Sequence, residues 1–249
     1  MPRYFLEVAY KGTNYSGFQV QKNANSIQAE VEKAFHILHK HRITLTGSSR
    51  TDAGVHALQN FFHFDFSGDL AVHVIYKMNA ILPDDIAVRE LIAVRSDAHC
   101  RFDALNREYK YFIYRRKHPF LKDRAFYFPY KLNIEAIQEA GELIKEYHDF
   151  TSFSKRRTQV KTFVCSIVES KWYLEADHLV FYVKADRFLR GMVRALVATM
   201  LRIGRGKIAV HEFREIIEQK DCSKASFAVP AHGLFLVGVN YPDDYFPTE

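Results

Sequence analysis

The stretch Gly47-Ser48-Ser49-Arg50-Thr51-Asp52-Ala53-Gly54-Val55-His56-Ala57 sets one carboxylate, Asp52, between a cation, a hydroxyl and two glycines. An alternating apolar run, Leu58 to Phe66, follows it. A tight hydrogen-bonding loop that feeds a buried strand can present a single acid to a substrate without letting it wander. Asp and Gly are also the default turn residues, so an ordinary turn is the competing reading of the same letters.

Cations form the second group. Leu189, Met192, Val193, Leu196, Val197 and Met200 fall on one helical face, and Arg187, Arg190 and Arg194, spaced by three and four, stack opposite them. Such a row is either a solvated face or the lining of an anion-binding cleft. An arginine beside Asp52 would keep that carboxylate charged as the site loses water. Arg115-Arg116-Lys117 and Lys155-Arg156-Arg157 adjoin aromatic residues (Tyr111, Phe112, Tyr114; Phe150, Phe153). Cations beside flat rings serve phosphates and unpaired bases together. Tyr111, on an alternating strand, either packs the sheet or lies beside a flipped base. His148-Asp149 reads as a catalytic pair or, more simply, as a cap at a helix exit.

Other chemistries find little support. His36, His39 and His41 cluster without the partners a metal site needs, and there is no Cys-x-x-Cys pair and no zincin motif. Ser49 lacks the glycines of a hydrolase elbow. Gly204-Arg205-Gly206-Lys207 is too short for a phosphate loop, and no dinucleotide fingerprint occurs. Cofactor-free and metal-free chemistry by one acid remains. A net charge of +6 and a pI near 9.1 suit a polyanionic partner. Three scattered cysteines, no leader pattern and no apolar run long enough to span a bilayer make a cytoplasmic location, with no membrane partner, the expectation.

The elements that must position these residues can be read from periodicity. Tyr4–Tyr10 alternates as a strand and ends in the turn Lys11-Gly12-Thr13-Asn14. A helix starts at Asn25, with Gln28 placed for reciprocal capping and Ile27, Val31, Phe35 and Leu38 at helical spacing. Ile43–Thr46 is a short strand into the Asp52 loop. Phe62, Phe64 and Phe66 share one face of a half-buried strand. Val72, Ile75, Asn79 and Leu82 predict a helix stopped by Pro83, and Ile86–Val94 a strand. Glu108–Tyr114 begins the pattern again, followed by a helix capped by Asn133 and by strands near Val160–Tyr173 and Leu179–Lys184. A helix from Arg187 to Ile203 is predicted to end on Gly204 as its C-cap. A short helix near His211–Gln219 precedes a last strand, Leu234–Tyr241. Strand–helix–strand sets thus occur twice, giving an α/β chain whose halves meet near residue 105 and share a sheet.

In motif order the sequence resembles the tRNA pseudouridine synthase A family over nearly its whole length. The motifs are Tyr10-Lys11-Gly12-Thr13-Asn14-Tyr15-Ser16-Gly17-Phe18-Gln19-Val20-Gln21; Arg50 through Ala57; Arg101-Phe102-Asp103-Ala104 with Arg107, Tyr109 and Tyr111; His148-Asp149-Phe150; Phe188-Leu189 with Met192-Val193-Arg194; and Gly233-Leu234 through Tyr241-Pro242. Ser48-Ser49, Arg190-Gly191 and Val229-Pro230-Ala231 depart from the family's usual letters.

The resemblance implies that Asp52 is the essential aspartate, Arg194 its ion-pair partner and Tyr111 the ring against the target uracil. It implies an α/β (α+β) fold of two similar halves, 1–105 with the aspartate loop and 106–249 with the tyrosine strand and arginine helix. Their mostly antiparallel sheets would join into one central sheet, with helices packed on it and a basic cleft between the halves. It implies a homodimer, without metal or cofactor, that isomerises uridine at positions 38, 39 and 40, on the 3′ side of the tRNA anticodon stem-loop. Arg50, His56, Tyr111, Arg115, Arg116, Lys155, Arg156, Arg187 and Arg190 are the expected RNA-binding set. A non-catalytic tRNA-binding protein explains the same charges but not the Asp52 loop. A metal-dependent nuclease would need several converging carboxylates.

Overall fold

The computed structural model describes residues 1–68, 70, 73–155 and 160–246, and the fold is mixed α/β. The chain forms two compact units, Met1–Leu105 with Leu236–Glu249, and Asn106–Phe235.

In the first unit β1 (Arg3–Tyr10) is followed by α1 (Ile27–His39), β2 (Thr46–Gly47), β3 (His56–Asp65), α2 (Val74–Ile81) and β4 (Ile86–Val94). β1 is the middle strand, antiparallel to β3 on one side and β4 on the other. Phe64 and Phe66 meet the Phe35 ring of α1 edge-on at 5.4 and 5.2 Å. The opposite face is covered too, because Phe5 and Phe61 pack against Tyr241 and Phe246. The strand predicted to be half-buried is therefore buried on both faces, with Phe61 and Phe62 alike closed off from water. The covering residues come from the far end of the sequence, which local periodicity cannot see.

Ser26, not Asn25, caps α1, its hydroxyl accepting the Ala29 N–H at 3.3 Å. Gln28 does not complete a reciprocal cap. Its amide donates to the Leu45 carbonyl and to Glu32, and accepts the Val20 N–H, so it ties the helix to the approach of β2. In α2, Asn79 exchanges two 2.8 Å hydrogen bonds with the Val88 backbone and fixes the helix on β4. Val72, predicted to begin that helix, lies outside the described residues.

The second unit contains β5 (Asn106–Tyr114), β6 (Phe126–Tyr127), α3 (Ile134–Leu143), β7 (Ile167–Glu175), β8 (His178–Ala185), α4 (Met192–Gly204) and α5 (Val210–Glu218). β8 is antiparallel to β5 and to β7, and β6 runs parallel to the end of β5. Asn133 caps α3 as predicted, accepting the Ala136 N–H at 3.0 Å. β7 begins later than the predicted Val160, since residues 160–166 are irregular apart from one bridge between Val164 and Asp149.

α4 differs from its prediction at both ends. Gly191 takes φ +75°, a left-handed conformation that breaks the helix before Met192. Arg187 and Arg190 therefore precede the helix, and the predicted row of three arginines does not form; Arg194 alone of the three is helical. At the other end Gly204 is still helical. The left-handed residue is Gly206, with its N–H on the Ile203 carbonyl (2.7 Å) and that of Lys207 on Arg202 (2.9 Å), a Schellman ending. Gly204 is needed for a different reason: a Cβ there would come within 2.8 Å of Leu132 and Ile137 side-chain carbons. β9 (Leu234–Asn240) carries the chain back to the first unit, where Val239 N–H meets Gln59 Oε1 at 3.0 Å and the Tyr241 hydroxyl donates to the Cys100 carbonyl at 2.6 Å.

Candidate active site

The Asp52 loop is built by its neighbours in the first unit. The Asp52 carbonyl accepts the Val55 N–H at 3.2 Å, and Gly54 has φ +77°, the left-handed residue that a type II turn places third. Asp52 thus sits in a turn, half-buried, beside the exposed Arg50. Thr51 is fixed on both its groups: its hydroxyl pairs with that of Tyr10 at 2.7 Å, and its carbonyl accepts the Phe18 N–H at 3.2 Å. Asn60, fully buried in the middle of β3, donates to the Ser49 carbonyl at 2.9 Å and to the Tyr10 hydroxyl at 3.2 Å.

Two glycines of the Tyr10–Phe18 segment let it lie against this loop. A Cβ on Gly12 would fall 2.0 Å from the Val55 carbonyl oxygen, and one on Gly17 (φ +119°) 3.1 Å from that of Thr51. The Gly12 N–H donates to His56 Nδ1 at 3.0 Å, and His56 is almost wholly buried. Of the expected RNA-binding residues, His56 is therefore turned inward, holding the loop's backing segment. Tyr15 anchors the same segment by donating to Asp85, and burial together with that carboxylate raises its pKa well above the phenol range. Sequence reading missed Asn60, although an amide in the middle of an apolar strand was the available signal.

Tyr111 and Arg194 come together in the second unit. The Tyr111 ring is fully buried in β5, and its hydroxyl donates to the Pro230 carbonyl at 2.8 Å. Gly233 presses on it so closely that a Cβ would stand 2.7 Å from the ring's Cζ. Burial drives the phenol's pKa far upward, and the nearby Arg194 charge opposes only part of that rise. Arg194 donates from Nε (3.1 Å) and Nη2 (2.6 Å) to the Val229 carbonyl. In this structure the Tyr111 ring is thus packed, as one of its two sequence readings anticipates.

The remaining cations scatter over the second unit. Lys155 N–H donates to the Arg190 carbonyl at 3.2 Å, and the half-buried Lys155 side chain runs across Gly191, beside the exposed Arg190. Arg187 lies just before it, with its N–H on Asp186 Oδ1. Arg115 and Arg116 are exposed in the turn after β5; Arg115 is four residues beyond Tyr111, about 13 Å along a strand. Arg156 lies outside the described residues. Asp149 accepts the Thr151 N–H and hydroxyl and pairs with Lys220 at 3.0 Å, which is capping, the simpler of its two readings. Among the described residues no group of three or more His, Cys, Asp or Glu side chains converges on a metal position, and no helix is long and apolar enough to cross a membrane.

The family model described as tRNA pseudouridine synthase matches residues 7–103 and 147–242. The tRNA pseudouridine synthase A of Parabacteroides distasonis is 46% identical over 252 residues, covering the whole of both chains. The chain belongs to the tRNA pseudouridine synthase family. Namesakes from Porphyromonas gingivalis (43% identical, 99% of this chain and 100% of that protein) and Bacillus subtilis (40%, 94% and 97%) are similar over comparable lengths. Asp52 and Arg194 fall inside the stretches matched by the synthase family model, and Tyr111 falls in the gap between them.

Proposed function

We propose that this chain, as a member of that family, converts uridine to pseudouridine in tRNA, at positions 38, 39 and 40 on the 3′ side of the anticodon stem-loop. The observation that carries the catalytic assignment is the restraint on Asp52: a carboxylate at a water-accessible turn, backed by the glycine-permitted segment and fixed through Thr51, Asn60 and His56. A side chain on a loop held this firmly keeps its position while a substrate changes shape in front of it.

The reaction breaks the N1–C1′ glycosidic bond, turns the uracil and joins C5 to C1′; the proton leaves C5 and one is taken at N1. It is redox-neutral and consumes no other group. The uridine must leave the stack to be reached, at a cost of a few kcal/mol. Contacts from cations to phosphates offset that cost. Asp52 acts on the ribose or the base, as nucleophile or as proton acceptor, and Arg194 is its ion-pair partner. Tyr111 forms the wall behind the detached uracil. The enzyme works as a homodimer in the cytoplasm, without metal or cofactor.

The test is pseudouridine mapping by carbodiimide labelling on an unmodified tRNA transcript, with gel-shift binding in parallel. Asp52→Ala is expected to bind the transcript as the wild type does and to form no pseudouridine. An active Asp52→Ala chain overturns the assignment.

A further inference from the structure

Within the first unit a pocket of about 270 Å³ opens beside the Asp52 loop, lined by Phe18, Gln19, the Thr46–Gly47 strand, Arg50 and the His99–Phe102 turn. No carboxylate lines it, and two arginines do. Phe102 is 74% exposed and stands at the mouth of this pocket. Its turn is rigidly built. His99 N–H meets Asp103 Oδ2 at 2.9 Å, Asp103 N–H returns to the His99 carbonyl at 3.0 Å, and the Tyr245 hydroxyl donates to Asp103 Oδ2 at 2.5 Å. His99 Nδ1 accepts the Arg101 and Phe102 N–H groups at 3.2 and 3.4 Å. The His99 ring lies 4.2 Å from the Phe102 ring, and the Arg101 guanidinium 5.6 Å from it. The chain thus presents one flat ring at a pocket mouth, on a hydrogen-bonded turn and beside the Arg101 guanidinium.

We infer that this pocket receives an unpaired base of the RNA, neighbouring the uridine presented to Asp52, with the base stacked on Phe102 and its phosphates met by Arg50 and Arg101. Phosphate and π-face recognition need this combination, and each base has a face to stack. Gln19 offers an amide to a base edge. Arg50 links the two sites: its Cα is two residues, at most about 7 Å, from that of Asp52. The inference rests on the proposed function only for the identity of the RNA and of the uridine.

Phe102→Trp supplies an exposed reporter, because the chain's other tryptophan, Trp172, is buried in the second unit. Saturating unmodified tRNA transcript is expected to quench the new emission by stacking, whereas heparin, a polyanion without bases, is not. In multiple-turnover assays on the same transcript, read by tritium release from 5-tritiated uridine, Phe102→Leu is expected to raise KM about tenfold. Phe102→Tyr, which keeps the ring, is expected to stay within twofold of wild type. The exposure of Phe102 makes folding of these chains a small risk, and circular dichroism checks it. Equal emission with transcript and heparin, or a wild-type KM in Phe102→Leu, overturns the inference. Quenching by transcript without tritium release from the wild type would instead sink the proposed function and leave the base pocket standing.

Discussion

The Arg194 guanidinium grips a single backbone oxygen, the Val229 carbonyl, through Nε at 3.1 Å and Nη2 at 2.6 Å. One residue on, the Pro230 carbonyl takes the Tyr111 hydroxyl, so the two side chains hold consecutive peptides of one segment. Of the five N–H groups of a guanidinium this uses two on one side. The Nη1–Nη2 end keeps the fork geometry that suits a carboxylate or a phosphate.

Lysine cannot perform both tasks, since its ammonium is a point donor on a flexible stem. Arg194→Lys is therefore expected to lower kcat about tenfold or more, with a loss of about 1–2 kcal/mol of stability from the ungripped carbonyl. Single-turnover pseudouridine formation and thermal unfolding read the two effects separately. A wild-type kcat in Arg194→Lys would remove the fork argument.

Gly12 offers a test of the loop's backing. A methyl group there would lie 2.0 Å from the Val55 carbonyl oxygen, a backbone atom that cannot rotate away. Gly12→Ala is expected to cost about 2–3 kcal/mol and to displace the Asp52 turn, lowering kcat more than KM. Gly206→Ala serves as the comparison. Gly206 has φ +65° but nothing within 4 Å of the added methyl, so only left-handed strain of about 1 kcal/mol applies and activity stays. Equal activity losses in the two chains would show that the Gly12 contact does not position the loop.

These two cases show what the sequence could and could not reveal. Periodicity placed several strands and helices, because each pattern is local: β1, β4, β5 and α3 lie where alternation and the Asn133 cap put them, whereas the strand predicted at Ile43–Thr46 is only Thr46–Gly47 and the two-residue β6 has no pattern to read. The Asp52 loop was legible as a loop, from Asp, Gly and the strand behind it. The arginine row failed because a side-chain spacing was extended through Gly191, whose left-handed φ ends the helix just before Met192. Burial of both faces of β3 was illegible, since Tyr241 and Phe246 reach it from about 180 residues away. The His99–Phe102 turn depends on Tyr245 in the same way. The glycines of the opening motif could be seen as a turn, but their contact with the loop exists only once the chain is folded.

Tyr111 separates ring from hydroxyl. Tyr111→Phe keeps the wall but leaves the Pro230 carbonyl without this donor in a buried setting, at a cost of about 1–3 kcal/mol. If the ring is the catalytic feature, Tyr111→Phe retains pseudouridine formation within a few fold at a temperature where it is folded, whereas Tyr111→Leu loses it. Melting curves and initial rates on one transcript decide. A Tyr111→Phe chain that is fully stable but inactive would assign the role to the hydroxyl.

His63 sets an acid limit on the fold. It is buried beside Cys100, whose thiol lies 3.1 Å from Nδ1, and burial, then the nearby His99 and Arg3 charges, hold its pKa down to about 4 against an ordinary 6.5. As pH falls through 6.5 the unfolded chain takes up a proton at this site and the folded chain does not until near 4. The unfolded state then binds more protons, so stability falls over that window and is level above it. After allowance for screening by water, the loss by pH 4.5 is on the order of 1–2 kcal/mol. His63→Gln keeps an acceptor for the Cys100 groups and has no proton to gain. Its urea midpoint is expected to change less than that of the wild type between pH 6.5 and 5, above the range where carboxylates contribute most. Parallel midpoint curves for the two chains would show that His63 is not the group responsible.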